Sequence, residues 1–249
     1  MKLKRRSFFA GFAALGASAC TTEFPDSETG QGLFGAVQDW HRKAHRLLAN
    51  RQALAREFGP ESISPTFRGN GSLTVDTDEY RAELAGGFAN WRLEVRGLVD
   101  NPMSLSMDDL RGMPQRTQIT RHDCVEGWSA IGEWTGPQLS DLLDQAQVQE
   151  GANFIVFRCA DTLSGRDYYE SVDMIDAYHP QTIVAHLLNG EPIPEKNGAP
   201  LRMRIERQLG YKHPKYLTAI EAVASLDDIG DGKGGYWEDR SGYQWYAGI

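Results

Sequence analysis

Arg121-His122-Asp123-Cys124-Val125-Glu126-Gly127-Trp128-Ser129 is the stretch on which the reading of this chain turns. It follows Thr117-Gln-Ile-Thr, a run that predicts a short strand, and it contains Gly-Trp, a turn signal. The pattern sets a cysteine, flanked by polar residues, at a strand end. A thiol so placed can serve as a nucleophile, a redox thiol or a soft metal ligand. The plainer reading is a small buried cysteine in a strand-to-helix turn, since free cysteine is among the most buried residue types. The local pattern leaves these alternatives open.

Outward from that stretch, Trp91-Arg-Leu-Glu-Val-Arg and Phe154-Ile-Val-Phe also read as strands. Short helices are expected over 106–110 and 140–143, with a third around 183–188. Asn189-Gly190, Asn197-Gly198 and the glycine-rich 230–235 read as turns. No repeat period is visible. Mixed short elements without regular βαβ alternation predict an α+β fold with mixed β-sheets and short helices. No clean linker follows residue 60, so residues 61–249 read as one main domain.

Upstream, residues 21–34 are polar and read as a tether. Val37, Trp40, Ala44, Leu47, Leu48, Leu54 and Phe58 recur at helical spacing until Gly59-Pro60, which makes 20–60 a tether and amphipathic helix. His41 and His45 stand four apart, the spacing of a metal pair. With no third ligand nearby and no HExxH pattern, they read as members of a solvated basic face.

The first nineteen residues are an address. Lys2, Lys4, Arg5 and Arg6 form a basic head, and a small, apolar run from Ala10 to Ala19 follows, too short to span a bilayer. Arg5-Arg6-Ser-Phe-Phe resembles a twin-arginine export signal, the route for proteins that cross a membrane already folded, so a periplasmic location is expected. Ala17-Ser-Ala-Cys20 resembles a lipoprotein cleavage box with Cys20 as lipid carrier and membrane tether, although Ala17 stands where Leu is usual. Cleavage at Ala-x-Ala competes with that reading. The chain has 26 basic and 34 acidic residues, a net charge of −8. Without the four leader cations the balance is 22 against 34, or −12. Such a chain is a poor nucleic-acid binder. Three cysteines are too few for a disulfide framework.

One basic cluster stands out against this acidity. Asn197-Gly-Ala-Pro-Leu-Arg202-Met-Arg204 is followed by Arg207 and by Gly210-Tyr-Lys212-His213-Pro-Lys215-Tyr216. Glycine turns expose backbone N–H groups and the cations add charge, which suits a phosphate or another small anion. Exposed charges along two strands joined by a turn would give the same sequence.

Taken together, these segments resemble the sulfite-oxidase-type molybdopterin oxidoreductases, most closely their exported bacterial branch, which is similar to the methionine-sulfoxide reductase catalytic subunit. Three motifs carry the resemblance: Trp91-Arg-Leu-Glu-Val-Arg-Gly-Leu-Val; Asp123-Cys-Val-Glu-Gly-Trp-Ser with Trp134-Thr-Gly-Pro-Gln-Leu; and Asn197-Gly-Ala-Pro-Leu-Arg. It runs from about residue 67 to residue 220, and the Tyr236-Trp-Glu-Asp-Arg and Gln244-Trp-Tyr-Ala-Gly endings also look like those of the group.

The resemblance implies a molybdenum-molybdopterin cofactor with one pterin, its metal held by the Cys124 thiolate. It implies cofactor contacts from Asn197, Arg202 and the Lys212-His213-Pro-Lys215 stretch, and more loosely from the Phe67-Arg68-Gly69-Asn70 segment. Cys159 falls where the reductase branch has a cofactor-contacting Thr, and is read as pocket wall rather than as a second metal bond. Sulfite oxidases place arginines just after the metal cysteine. Here Glu126 stands near it, and a carboxylate repels sulfite or nitrate. The implied reaction is two-electron oxygen-atom transfer, in the direction of reducing a neutral S- or N-oxide, with Glu126 and Tyr168 lining the pocket. Oxidation of a sulfur compound is the opposing direction. No haem-attachment CxxCH is present, so a separate haem- or quinone-linked electron carrier is expected, and a monomer is expected because the usual dimer domain is missing.

Two other classes remain to be weighed. A hydrolase would use Cys124 as nucleophile with His122 or His213 as base. A cofactor-free periplasmic binding module would keep the fold without the chemistry.

Overall fold

The computed structural model describes Val37, Trp40 and residues 53–249. The expected leader, Cys20, His41 and His45 lie outside the described residues. Residues 53–249 belong to one compact unit, Gln52–Ile249.

Three sheets organise this unit. Strands β1 (Arg92–Gly97), β2 (Met103–Ser106), β5 (Phe154–Leu163), β6 (Arg166–Asp173) and β11 (Leu217–Val223) form a five-stranded sheet in the order β2-β1-β11-β5-β6. Only the β1–β11 pairing within it is parallel, so the sheet is mixed. Strands β3 (Gln115–Cys124), β4 (Trp128–Pro137), β8 (Leu187–Leu188) and β9 (Glu191–Pro192) form an antiparallel sheet, and β7 (Thr182–Ala185) pairs with β10 (Arg202–Ile205). The three strands read from sequence all appear, extended by a few residues. They were legible because Leu93 and Val95 point inward while Arg92 and Arg96 point out, the period-two signature of a half-buried strand.

Helices α1 (Asp78–Ala85), α2 (Met107–Gly112), α3 (Leu139–Ala146), α4 (Met174–Ala177) and α5 (Tyr236–Ser241) are short. Helix α2 starts at Ser106, whose hydroxyl accepts from the Asp109 N–H while the Asp109 carboxylate accepts from the Ser106 N–H, a complete capping box. Helix α3 buries Leu139, Leu142, Leu143 and Ala146, the i, i+3, i+4, i+7 stripe of an amphipathic helix. Each buried leucine is worth about 1.5–3 kcal/mol relative to exposure. The main core packs this stripe on Leu93, Ile155, Phe157 and Ile220 of the five-stranded sheet.

Two expectations fail. The helix expected around 183–188 is instead β7 and β8, with a break between them. Thr182, Ile183, Val184 and Ala185 are all buried, and a strand covered on both faces shows no alternation by which to recognise it. The helical spacing that runs to Phe58 does not hold over 53–58, where the chain is extended. Glu57 bridges Thr120, and the Phe58 N–H donates to the Ile119 carbonyl at 2.9 Å. Strand β3 is the edge of its sheet, and its open backbone groups take this segment as a partner. Of the expected turns, Asn189-Gly190 closes the β8–β9 hairpin with φ of 54° and 79°, the doubly positive geometry that Asn-Gly favours.

Candidate active site

The β3–β4 hairpin fixes Cys124. The two strands pair along their length to Cys124↔Trp128, and the three-residue loop ends in Gly127 with φ of 85°. Cys124 is thus the last residue of its strand, as the sequence suggests, and it is buried at 9% exposure. Its hydrogen-bond partner is Glu126, through backbone and side chain. Burial pushes the thiol's pKa up, and the Glu126 N–H and Arg202 pull against that. The Glu126 carboxylate also accepts from Trp128 Nε1 at 2.9 Å.

Cys124 lines a cleft of about 630 Å³, counted out to its open mouth. The cleft is assembled from distant segments: Asn70 to Ser72, the Cys124–Glu126 turn, Asp161 on β5, Tyr168 on β6, the stretch 210–215 and the C-terminal Trp237 and Tyr243. Several polar groups facing it are buried with no partner of their own, namely Asn70 Oδ1, Asp161 Oδ1 and His213 Nδ1. Asp161 accepts a short hydrogen bond from the Ser72 hydroxyl, and burial pushes its carboxyl pKa up.

The basic cluster divides on inspection. Lys215 is 6% exposed, and its ammonium donates to the carbonyls of Asn70 at 2.6 Å and Ser72. Burial first, then Arg202, pull it down to about 7. Arg202 is fully buried, donates to the carbonyls of Asn197 at 2.9 Å and His213 at 3.3 Å, and leaves Nε unpartnered. Among the described residues, neither cation has a carboxylate within 4.0 Å. By contrast, Arg204 pairs with Glu206 at 2.6 Å, and Lys212 lies between Glu170 at 2.5 Å and Glu238 at 2.7 Å. Lys212, expected at the anion site, is therefore corrected to an internal ion-pair member; two carboxylates already occupy its ammonium.

The other expected residues distribute as follows. Glu126, Tyr168, His213 and Lys215 line the cleft with Cys124. Asn197 and Arg202 stand behind it, tied together by the Asn197 carbonyl. Phe67 does not reach it: the ring packs edge-on against Trp134, centroids 5.1 Å apart, in a second core cluster. Arg68 contributes only its carbonyl, which accepts from Asn197 Nδ2 at 3.0 Å. Cys159 sits where β5 pairs with Leu217, and Asp161 and Leu163, further along, are the members of that strand in the cleft wall. Asn70, Ser72, Asp161, Trp237 and Tyr243 were not singled out from sequence. Two of them had a signal, Asn70 as the last residue of the Phe67-Arg-Gly-Asn run and Trp237 within the Tyr236-Trp-Glu-Asp-Arg ending.

A hydrolase needs an imidazole on the thiol. His122 Nδ1 instead accepts from Arg204 at 2.9 Å, and His213 Nε2 meets the Gln208 carbonyl at 3.0 Å. A soft thiol at the end of a cleft, buried cations without counter-ions and orphaned polar atoms fit a bound group that is anionic and rich in hydrogen-bonding atoms. No cluster of three or more His, Cys, Asp or Glu among the described residues forms a metal site. A metal at Cys124 would accordingly take its other ligands from the bound group.

Fold and cleft together define a cofactor-dependent redox protein of the mixed-sheet type. The sequence pattern of the oxidoreductase molybdopterin-binding domain matches residues 82–228, and the chain belongs to that family of molybdopterin-dependent, metal-binding oxidoreductases. It is 35% identical over 246 residues to the YedZ1 protein of Azospira oryzae, which bears the name of a protein-methionine-sulfoxide reductase subunit, covering 98% of this chain and 87% of that one. It is 32% identical over 169 residues to the protein-methionine-sulfoxide reductase catalytic subunit MsrP of Xanthomonas campestris, covering 62% of this chain. The match spans 52% of that relative's length. The sulfane dehydrogenase SoxCD of Paracoccus pantotrophus shares the fold, with a TM-score of 0.51 and 22% identity over 55% of this chain and 39% of that one. The α+β expectation holds, and the enzyme class displaces the hydrolase and binding-module readings.

Proposed function

We propose that this chain is an exported periplasmic enzyme that reduces a neutral S- or N-oxide, with a methionine-type sulfoxide as the favoured substrate. Residues 1–19 are its export signal, 20–60 the connecting segment with Cys20 as a lipid tether, and 61–249 the catalytic domain of a monomer. One pterin holds the molybdenum, and Cys124 is the metal's protein ligand. The observation that carries the reading is the pair of buried cations with no carboxylate within 4.0 Å among the described residues, Arg202 and Lys215, beside a cleft lined by Cys124. Isolated buried charges cost several kcal/mol each, and an anionic phosphate on the bound pterin offsets that cost.

The cofactor supplies the two-electron chemistry when bound. The chain's own residues do the rest. Lys215 and Arg202 hold the anionic end, and the Asn70, Asp161 and His213 polar atoms orient the ring system. Cys124 would hold the metal as its thiolate, and because burial raises the thiol's pKa, binding there would release a proton from sulfur. The Glu126 carboxylate beside that sulfur disfavours sulfite, nitrate and other anions. The overall reaction takes one sulfoxide, two electrons from a separate haem- or quinone-linked carrier and two protons to one thioether and water. The names of the Azospira and Xanthomonas relatives support the methionine-type substrate.

The test is metal analysis of the wild type and Cys124→Ala, purified from a bacterium that makes molybdopterin. Near-stoichiometric molybdenum in the wild type, a lost or altered metal site in the variant and turnover of a sulfoxide are expected. Folded wild type without molybdenum would overturn the reading.

A further inference from the structure

The C-terminal segment, beyond the residues matched by the family pattern, forms one wall of the cleft. Trp237 on α5 and Tyr243 just after it are half-buried there. Their rings stack, centroids 5.7 Å apart at 23°. Tyr243 meets Tyr211 edge-on at 5.0 Å, Trp237 meets Tyr236 at 5.3 Å, and Tyr236 stacks on Tyr168 at 5.5 Å. Five rings therefore form a continuous chain, and four of them, Tyr168, Tyr211, Trp237 and Tyr243, line the cleft.

Three of the four tyrosine hydroxyls in this chain of rings are engaged elsewhere, which leaves their ring faces as the surface they present. Tyr211 donates to the Gln244 carbonyl at 2.7 Å, Tyr236 to the Leu163 carbonyl at 2.8 Å and Tyr168 to the Tyr211 carbonyl at 2.9 Å. The wall is also held rigidly. Glu238, next to Trp237, is paired with Lys212, and the Asp239 carboxylate accepts from the Tyr169 hydroxyl at 2.5 Å. Val125, in the turn after Cys124, adds a 45% exposed apolar side chain to the same cleft.

We propose that Trp237 and Tyr243 are specificity-determining residues that grip the alkyl arm of a linear thioether S-oxide. The inference rests on the sulfoxide reading above and adds the residues that choose among sulfoxides. Sulfur and the methylene groups beside it pack favourably on aromatic rings. A methionine-type side chain has the length to lie along this wall with its sulfinyl group toward Cys124, whereas dimethyl sulfoxide reaches the sulfur position alone.

The test uses the molybdenum-loaded full chain, as wild type, Trp237→Ala, Trp237→Phe and Tyr243→Ala. Two quantities are read. One is the ratio of kcat/KM for a peptide carrying methionine sulfoxide to that for dimethyl sulfoxide. The other is calorimetric binding of the same peptide carrying the non-reducible methionine sulfone. Trp237→Ala should lower the ratio about tenfold through KM and weaken sulfone binding about tenfold, the worth of about two buried methylene groups. Trp237→Phe should restore most of both. Tyr243→Ala serves the same purpose if Trp237→Ala does not fold. A ratio and an affinity within twofold of wild type would overturn the proposal. Wild type that reduces neither sulfoxide but loses sulfone binding in the variant would sink the reaction reading and leave the wall standing.

Discussion

Replacing Lys212 with Met should unfasten the C-terminal segment, and the size of the effect follows from what surrounds the ammonium. Lys212, Glu170 and Glu238 are all at most 1% exposed, with the ammonium 2.5 and 2.7 Å from the two carboxylates. Removing the cation leaves two buried carboxylates facing each other. Breaking a buried ion pair by deleting one member costs about 3–5 kcal/mol. For a domain of this size each kcal/mol shifts Tm by about 2–4 °C, so the loss should be about 6–20 °C by circular dichroism. The pH dependence sharpens the test. Lys212 is held above its ordinary pKa by Glu170 and then Glu238, against the effect of burial, so its contribution is fully present at pH 5 and pH 8 alike. Without it, the two carboxylates share a proton. Burial raises the Glu170 carboxyl and Lys212 opposes that rise, so the variant raises it further than the wild type, and a carboxyl whose folded pKa is raised contributes stability that is lost as pH rises through that value. The gap between wild type and Lys212→Met should therefore widen from pH 5 to pH 8. A loss below about 2 °C, or a gap that narrows with pH, would refute the reasoning.

Other outcomes follow from single sites. Gly210→Ala would set a methyl carbon 2.4 Å from His122 Nε2, inside a ring of packed side chains, and should cost about 1–3 kcal/mol by urea denaturation; a loss under about 0.5 kcal/mol would contradict that packing. Leu142→Ala, at 0% exposure on the α3 stripe, should cost about 2–5 kcal/mol with an unchanged urea m-value, and a cost near zero would mean that α3 does not pack there. In the cofactor-free protein Lys215 is pulled down to about 7, below the ordinary lysine value of about 10.4. The unfolded chain then binds more protons between those values, so stability should rise with pH across that window and Lys215→Met should lack that share of the rise. Parallel profiles for the two proteins from pH 7 to 9.5 would rule it out.

What could be read from the sequence was whatever is set locally. Strands β1 and β3 and helix α3 announce themselves through periodic burial, β5 through its β-branched and aromatic Phe154-Ile-Val-Phe run, and the Asn189-Gly190 hairpin through its turn chemistry. Strand β7 does not, since burial on both faces erases its period. At the site, Cys124 was legible because a thiol at a strand end carries its own chemistry. Ser72 and Asp161 were not, because they meet across 89 residues of chain and neither has a distinctive neighbourhood. Phe67 and Arg68 drew the expectation that belonged to Asn70, three residues past the ring that packs into the core.

The basic cluster shows the limit most clearly. Arg202, Arg204, Lys212 and Lys215 lie close in sequence and were read as one anion site. The fold sorts them by partner: Arg204 and Lys212 meet carboxylates, while Arg202 and Lys215 meet carbonyls and the ring faces of Trp134 and Tyr216. Spacing could not make that division, because Lys212's carboxylates come from 42 and 26 residues away. The division nonetheless separates scaffold from site. A buried cation with a carboxylate is internally neutralised and holds structure together. One left with carbonyls and ring faces retains an unmet demand for negative charge, and both such cations stand beside the cleft lined by Cys124. The paired lysine matters to that cleft indirectly, by fastening Glu238 and with it the aromatic wall of Trp237 and Tyr243. Charges adjacent in sequence thus do two different jobs: one pair stays beside the cleft without a carboxylate within reach, where the proposed cofactor's anionic end would meet it, and the other neutralises buried carboxylates and fastens the aromatic wall.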